Sequence, residues 1–363
     1  MAFSLQDQMY MTRAVELARK GFGKTGLNPV VGCVIVKNGV IVGEGYHMKF
    51  GGAHAEVNAL KKAGARARGA DVYVTLDPCC HTGKTPPCTD ALIRAGVARV
   101  ISATDDPRDT QHIGQKILMR AGVRFQRGLC SHEARENIQF YFKMAKSSLP
   151  YVFLKVATTL DGKVATSSGF SRGITSKDAL RYVHLLRSRV DALITGGGTI
   201  AMDNPHMGVR YGRARGRDPL RVLLDSDLDI PLDGRFFRNS HVLVFTTKKA
   251  PACKIDELKK RRIDVCVLPS LSDVSVVLAE LAKRGVVTVL VEAGPRIITS
   301  FIQSGCVDRY LQIIAPKLLG GVNSPTSYEG LDVVDYHDMK EFLYARVAPL
   351  GKDFLFSGYL RWY

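Results

Sequence analysis

Apolar residues recur along this chain with two different periods, and the alternation between them predicts its elements. Between Gln8 and Lys20 they fall at Met11, Ala14, Val15 and Ala18, one face of a helix. Val30–Val36 and Val40–Gly43 are short apolar runs joined by Lys37-Asn38-Gly39. Asn-Gly between β-branched runs predicts a tight hairpin. The helical period returns over His54–Ala63, a strand follows at Val72–Leu76, and a helix at Thr89–Ala95 is introduced by Pro86-Pro87. Val97–Ala103 reads as another strand. The order αββαβαβ predicts a mixed sheet flanked by helices.

The pattern breaks near Ala145–Tyr151, where Ser147-Ser148-Leu149-Pro150 reads as a connector. At 363 residues the chain is long for one average domain. The break divides it into expected domains 1–146 and 147–363, both of α/β class. In the second, Tyr151–Ala157, Ala192–Thr195, Arg221–Asp225, Val242–Phe245, Val286–Glu292 and Tyr310–Ala315 read as strands. Helices are expected around Val183–Ser188 and Ile297–Ser304. No internal repeat or low-complexity tract is visible.

Composition narrows the class. Hydrophobic residues make up 46%, enough for two cores, and no apolar run approaches the ~20 residues that cross a bilayer. The first residues lack a basic segment followed by an apolar one, so export is not expected. Eight cysteines at irregular spacing do not resemble a disulfide framework. The expected location is cytoplasmic. The net charge of +17 is spread evenly: 21 Lys+Arg against 12 Asp+Glu in residues 1–146, and 30 against 22 in the remainder. That spread argues against a dedicated nucleic-acid arm, and it suits anionic small molecules as well as a generally basic proteome.

The chemistry concentrates in His54-Ala55-Glu56, Pro78-Cys79 and Cys88. One histidine and two cysteines give Zn²⁺ three protein ligands and leave a fourth tetrahedral position for water. Glu56, two residues after the histidine, is placed to move protons without ligating the metal. This is the His-x-Glu…Pro-Cys pattern of zinc nucleobase deaminases. Both expected helix starts would aim at the metal, and their dipoles favour thiolate. Cys80 competes with Cys79 for the ligand position, and the Pro-Cys order favours Cys79. His47 and His81 are further metal candidates, better suited to structural or substrate contacts. Asn28, in Asn28-Pro29, is either a turn residue or a hydrogen-bonding partner for substrate.

The segment from Tyr73 to Cys88, with Gly83-Lys84-Thr85-Pro86-Pro87 before a second cysteine separated from the first by eight residues, resembles the bifunctional deaminase–reductase family of riboflavin biosynthesis, RibD. Lys155-Val156-Ala157-Thr158-Thr159-Leu160-Asp161-Gly162-Lys163, Ile174-Thr175-Ser176, Thr199–Pro205, Val291–Gly294 and Ala315–Gly320 continue the likeness in order. It implies a cytidine-deaminase-like N-terminal domain and a dihydrofolate-reductase-like C-terminal domain. The implied reactions are deamination of a 2,5-diamino-6-ribosylamino-pyrimidinone 5′-phosphate and NADPH-dependent reduction of the product's ribosyl group to ribityl. The resemblance makes His54, Cys79 and Cys88 zinc ligands and Glu56 the proton shuttle. It puts Lys155, Ser171, Arg187, Arg210 and Glu292 at the substrate, and Ala157, Gly173, Thr175, Thr199, Asp203 and Gly294 near the cofactor. Arginines suit a ribose phosphate, since their donors pair bidentately with its oxygens. A homo-oligomer, dimer or tetramer, is also implied.

Four positions depart from the family pattern. Asp77 stands where Glu is usual, Cys80 where Ser is usual and Ala53 where Pro is common. Gly173 replaces a Trp that lines the cofactor pocket. The basic run Arg210, Arg213, Arg215, Arg217 reads more simply as a solvated loop, with Arg210 set apart from it. Gly196-Gly197-Gly198 lacks the spacing of a dinucleotide fingerprint. A nucleic-acid deaminase with a basic second module, and a regulator built on a decayed enzyme, are the competing readings. The long Cys79–Cys88 spacing weighs against the first, and the intact His54-Glu56-Cys79-Cys88 set against the second.

Overall fold

The computed structural model describes residues 3–211, 218–238, 241–330 and 333–363. Arg213, Arg215 and Arg217 lie outside these. The chain forms two compact units, Met1–Ser147 with Tyr363, and Ser148–Trp362.

The first unit runs α1 (Leu5–Ala18), β1 (Gly32–Lys37), β2 (Val40–Tyr46), α2 (Ala55–Ala63), β3 (Asp71–Val74), α3 (Cys88–Arg94), β4 (Arg99–Ser102), α4 (Ile113–Arg120), β5 (Arg124–Arg127) and α5 (Ser131–Ser147). Its sheet has the order β2-β1-β3-β4-β5, antiparallel through β2, β1 and β3 and parallel from β3 to β5. The expected hairpin forms, with Asn38 and Gly39 both at positive φ between paired Lys37 and Val40. Ser4 and Asp7 form a reciprocal cap at the start of α1, which buries the four expected positions Met11, Ala14, Val15 and Ala18.

One close approach sets the position of the first site. A Cβ on Gly45 would stand 2.3 Å from the Ala55 carbonyl oxygen, so α2 lies directly on β2 only because that strand position has no side chain. Asn58 reinforces the approach by donating its amide to the carbonyls of Tyr46 (2.9 Å) and Ala53 (3.2 Å). The N-terminus of α2 is thereby fixed at the end of the sheet.

The second unit contains β6 (Tyr151–Thr159), α6 (Lys177–Arg187), β7 (Ala192–Gly196), α7 (Gly197–Asp203), β8 (Leu220–Leu224), β9 (Val242–Thr246), α8 (Ala252–Lys260), β10 (Asp264–Val267), α9 (Val274–Lys283), β11 (Thr288–Val291), α10 (Pro295–Gln303), β12 (Arg309–Ala315), β13 (Leu343–Leu350) and β14 (Asp353–Tyr359). They form a sheet of order β10-β9-β8-β7-β11-β6-β12-β14-β13. Strands from β10 to β12 are mutually parallel, and β14 and β13 close the far edge antiparallel. The inner parallel strands β9, β8, β7 and β11 are covered on both faces, which is why they read as largely apolar runs. Strand β11 returns between β7 and β6, so the order reverses there. Ligands of open α/β sheets bind outside the carboxyl ends of strands at such a reversal.

Candidate active sites

The first site forms where α2, the loop after β3 and α3 meet. His54 is the N-cap of α2 and Cys88 the first residue of α3, so both helix starts face the cluster as the sequence suggests. His54 Nδ1 lies 3.2 Å from Cys88 Sγ and 3.5 Å from Cys79 Sγ, and the three donor atoms all fall within 4.8 Å of one another. A tetrahedral zinc with Zn–S of about 2.3 Å and Zn–N of about 2.0 Å separates its N and S ligands by about 3.5 Å. The donor set therefore fits zinc in both type and spacing. The other ring nitrogen of His54, Nε2, meets Thr85 Oγ1 at 3.3 Å, which leaves Nδ1 to face the sulfurs. Cys80 turns away, its thiol 4.0 Å from Asp109 Oδ2, so Cys79 is the cysteine that joins the cluster.

The hydrogen bond from Cys88, followed by that from His54, pulls the Cys79 thiol down to about 4. Glu56 is buried beside these groups. Burial, with the Cys79 charge second, raises its carboxyl to about 7, within reach of both protonation states near neutrality.

A cavity of about 330 Å³ opens onto the cluster. His47 and Asn28 form one wall. Burial lowers the His47 pKa; its Nδ1 lies 3.1 Å from the Ala53 carbonyl, and Asn28 Nδ2 is 3.2 Å from its Nε2. The His47 and His54 rings meet edge to face at 5.4 Å. His81, exposed, lines the mouth with Lys84, whose ammonium sits 4.2 Å over the Phe50 ring. Asp106, Arg108 and Tyr141, which no sequence pattern singles out, also line the cavity. Tyr141 OH donates to Asp106 Oδ1 at 2.9 Å, and the Arg108 guanidinium stacks 4.7 Å from the Tyr141 ring. The available signal was the position of Asp106 and Arg108 just past the carboxyl end of β4.

The second site lies at the strand-order reversal. Arg187, at the end of α6, forks onto Glu292, just past β11, through Nε–Oε1 (2.7 Å) and Nη2–Oε2 (3.0 Å). Lys155 Nζ on β6 reaches Glu292 Oε2 at 3.2 Å. Burial alone would push Glu292 up, but the two cations outweigh it and hold the carboxyl at about 2. Arg187 also donates to the Gly208 carbonyl (3.4 Å) and lies 3.6 Å from Met207 Sδ, which brings the Arg210 loop to the cluster. Ser171 Oγ contacts both carboxylate oxygens of Asp203, at 3.0 and 3.2 Å, and Arg172 donates to the Asp203 carbonyl. Thr199 Oγ1 lies 3.9 Å from where a Cβ on Gly294 would stand. Ala157 shares the face of β6 with Lys155, two positions on, and Thr175 precedes Ser176, the N-cap of α6. Gly173 sits at φ +82°, and Lys317 Nζ donates to its carbonyl at 2.7 Å. The triple glycine after β7 starts α7, with Gly196 as its N-cap.

Residues 150–355 match the RibD C-terminal domain family, and residues 4–104 match the zinc-binding region of cytidine and deoxycytidylate deaminases. The riboflavin biosynthesis protein RibD of Aquifex aeolicus (strain VF5) is 40% identical over 353 residues, covering 96% of each chain. This chain belongs to the RibD family. RibD of Escherichia coli (strain K12) is 37% identical over 366 residues, covering 96% of this chain and 98% of its own. Among solved structures, Acinetobacter baumannii RibD superposes with a TM-score of 0.84 at 36% identity, over 98% of both chains. The Thermotoga maritima structure, described as a diaminohydroxyphosphoribosylaminopyrimidine deaminase/5-amino-6-(5-phosphoribosylamino)uracil reductase, gives a TM-score of 0.82 at 33% identity, over 97% of this chain and 98% of its own.

Like other RibD proteins, the chain is a bifunctional riboflavin-biosynthesis enzyme, with an N-terminal cytidine-deaminase zinc domain and a C-terminal dihydrofolate-reductase-like domain. The departures from the RibD pattern have local structural settings. Asp77 is buried and paired bidentately with Arg127, through Nε–Oδ1 (3.1 Å) and Nη2–Oδ2 (2.5 Å). The pair anchors the chain two residues before Cys79. The positive φ at Gly173 is a conformation that glycine adopts without strain. No helix among the described residues is long and apolar enough to cross a membrane.

Proposed function

We propose that this chain catalyses two consecutive steps on one pyrimidine ribose phosphate. The first is hydrolytic deamination of 2,5-diamino-6-(5-phosphoribosylamino)pyrimidin-4(3H)-one, and the second reduces the ribosyl group of 5-amino-6-(5-phosphoribosylamino)uracil to ribityl. The assigned domains are 1–146 for the deaminase and 147–363 for the reductase. Full-length likeness to RibD relatives supports the substrate pair. The observation that carries the chemistry is the buried Glu56 beside the His54–Cys79–Cys88 group, facing the cavity.

For the first step His54, Cys79 and Cys88 would hold zinc, which would supply the Lewis acid that makes water nucleophilic near neutral pH. Glu56 would take a proton from the attacking water and give it to the ring nitrogen; as the added hydroxyl becomes the carbonyl, Glu56 would carry its proton to the amino group, which leaves as ammonia. Asn28 spends its amide nitrogen on His47, which leaves its carbonyl to accept from the substrate's amino group. Lys84, His81 and Arg108 at the cavity mouth suit the substrate phosphate.

For the second step NADPH would be the hydride source, and the residues around Ala157, Gly173, Thr175, Thr199, Asp203 and Gly294 would hold it. Lys155 would give a proton to the ribose ring oxygen as the C1′–O4′ bond breaks and C1′ takes up hydride. Glu292, itself held by Arg187, would hold Lys155 at that position, and Ser171 and Arg210 would bind the ribose phosphate. The enzyme works in the cytoplasm as a homo-oligomer, a dimer or tetramer.

Glu56→Gln tests the reading at its centre. Its ammonia release is expected to fall by about 10²–10⁴-fold, the usual worth of a positioned acid–base group. Zinc content is expected to stay at the wild-type value. Ammonia release at the wild-type rate would remove Glu56 from the mechanism.

A further inference from the structure

The mechanism above leaves one buried histidine without a role. His184 lies on α6, three residues before Arg187, and is 2% exposed. Residues three apart share a helix face, and both side chains grip the same loop. Arg187 takes its near end through Gly208 and Met207, while His184 Nδ1 accepts the backbone N–H of Arg210 at 3.1 Å.

The hold on this loop extends over consecutive residues. The amides of Gly208, Val209 and Arg210 each donate to a side chain: His206 Nδ1 (3.2 Å), Asp218 Oδ1 (2.7 Å) and His184 Nδ1 (3.1 Å). A turn whose three successive N–H groups are all taken by side chains has little freedom to shift. Arg210, at its end, keeps its own side chain exposed. The His184 ring also packs edge-on against the ring of Tyr211, the next residue, at 4.9 Å.

We propose that His184 is a positioning residue for the reductase: as a neutral acceptor it latches the backbone of Arg210 and so aims that guanidinium at the ribose phosphate. The latch rests on the reductase reading given above. It requires the ring to be uncharged with its proton on Nε2, because a proton on Nδ1 would face the Arg210 N–H. Burial, then the Arg187 and Arg210 cations, keep the ring neutral by lowering its pKa to about 4, against a smaller opposing pull from Glu292 and Asp218.

Steady-state kinetics of the full-length zinc-loaded enzyme with NADPH and the aminouracil ribose phosphate test the latch. One lost hydrogen bond of about 1–1.5 kcal/mol corresponds to about tenfold in binding. His184→Ala is expected to raise KM for the ribose phosphate by about that factor, with kcat and KM for NADPH changing less than about twofold. His184→Asn, whose side-chain carbonyl stands where Nδ1 stands, restores most of the loss. His184→Gln, whose carbonyl falls nearer Nε2, does not.

In an Arg210→Ala background the His184 substitution adds nothing, since the group it aims is gone. Equal behaviour of the Asn and Gln variants, or additivity with Arg210→Ala, would overturn the latch and leave the reductase reading standing. The Asn–Gln contrast still decides if the alanine variant fails to fold. Wild-type enzyme that oxidises no NADPH with this substrate would remove the reductase reading, and the latch with it.

Discussion

The Arg187 guanidinium and the Glu292 carboxylate form a buried fork, with Nε 2.7 Å from Oε1 and Nη2 3.0 Å from Oε2. Lys155 completes the group at 3.2 Å. A buried ion pair gives modest net stability when intact, and removing Arg187 leaves the buried Glu292 with Lys155 as its one remaining cation among the described residues. Arg187→Ala is therefore expected to destabilise the C-terminal unit by about 1–3 kcal/mol, less than for a wholly unpaired charge, and to abolish NADPH oxidation. Urea unfolding of the full chain, read alongside both activities, checks this. A variant with wild-type stability would show that Glu292 is not held as described.

His184 gives stability a definite pH dependence. Its pKa is about 4 folded, against an ordinary value of 6.5. Below pH 6.5 the unfolded chain takes up a proton that the folded chain refuses. The histidine's contribution is thus complete above about pH 6.5, declines as the pH falls towards 4, and levels off below that. His184→Asn is expected to flatten this part of the stability profile relative to wild type. His206, lowered in the same direction, is present in both proteins and drops out of the comparison. Parallel profiles between pH 6.5 and 4 would contradict the assignment.

The hydroxyl of Thr85 fixes which nitrogen of His54 faces the sulfurs. Loss of such an outer partner typically costs 10–100-fold in metal affinity. Thr85→Val is expected to weaken zinc binding by roughly that factor, measured by chelator competition. Reductase turnover stays at the wild-type rate. Unchanged zinc affinity would mean the His54 ring is held by its neighbours' packing alone.

Gly45→Ala is a steric test of the first site. The added carbon would stand 2.3 Å from the Ala55 carbonyl, and this neighbour is backbone that cannot rotate aside. Displacing α2 costs about 1–3 kcal/mol, as overpacking does. It also carries His54 and Glu56 away from Cys79 and Cys88. The expected outcome is loss of bound zinc and of ammonia release together. A variant that keeps both would show that α2 does not depend on that contact.

Much of this architecture is legible in the sequence, for identifiable reasons. The hairpin at Asn38-Gly39 requires two residues at positive φ, and Asn-Gly supplies them. The inner parallel strands of the second unit, such as β7 and β11, are buried on both faces and read as apolar runs. The metal site is legible because all its donors fall within one stretch of sequence ending at Cys88.

What escaped the pattern did so for equally physical reasons. Strand β5 reads Arg-Phe-Gln-Arg and lies at a sheet edge, where no buried face demands apolar residues. Helix α7 begins Gly-Gly-Thr, a composition that suggests a turn, and strand β13 is exposed along nearly its whole length. Tyr141 and Asp106 join the cavity only through folding, since 35 positions separate them in the chain. His184 reads as one more polar residue on an amphipathic helix until Arg210 is found against it.

The most direct measurement is a mass-spectrometric time course with the wild-type zinc-loaded enzyme and freshly made diamino-ribosylamino-pyrimidinone phosphate, with NADPH first withheld and then added. The account predicts ammonia and the deaminated ribosyl compound in the first phase. In the second it predicts conversion to the ribityl compound with one NADPH consumed per molecule. Absence of ammonia from zinc-loaded protein, or a ribityl product that appears before any deamination, would contradict it.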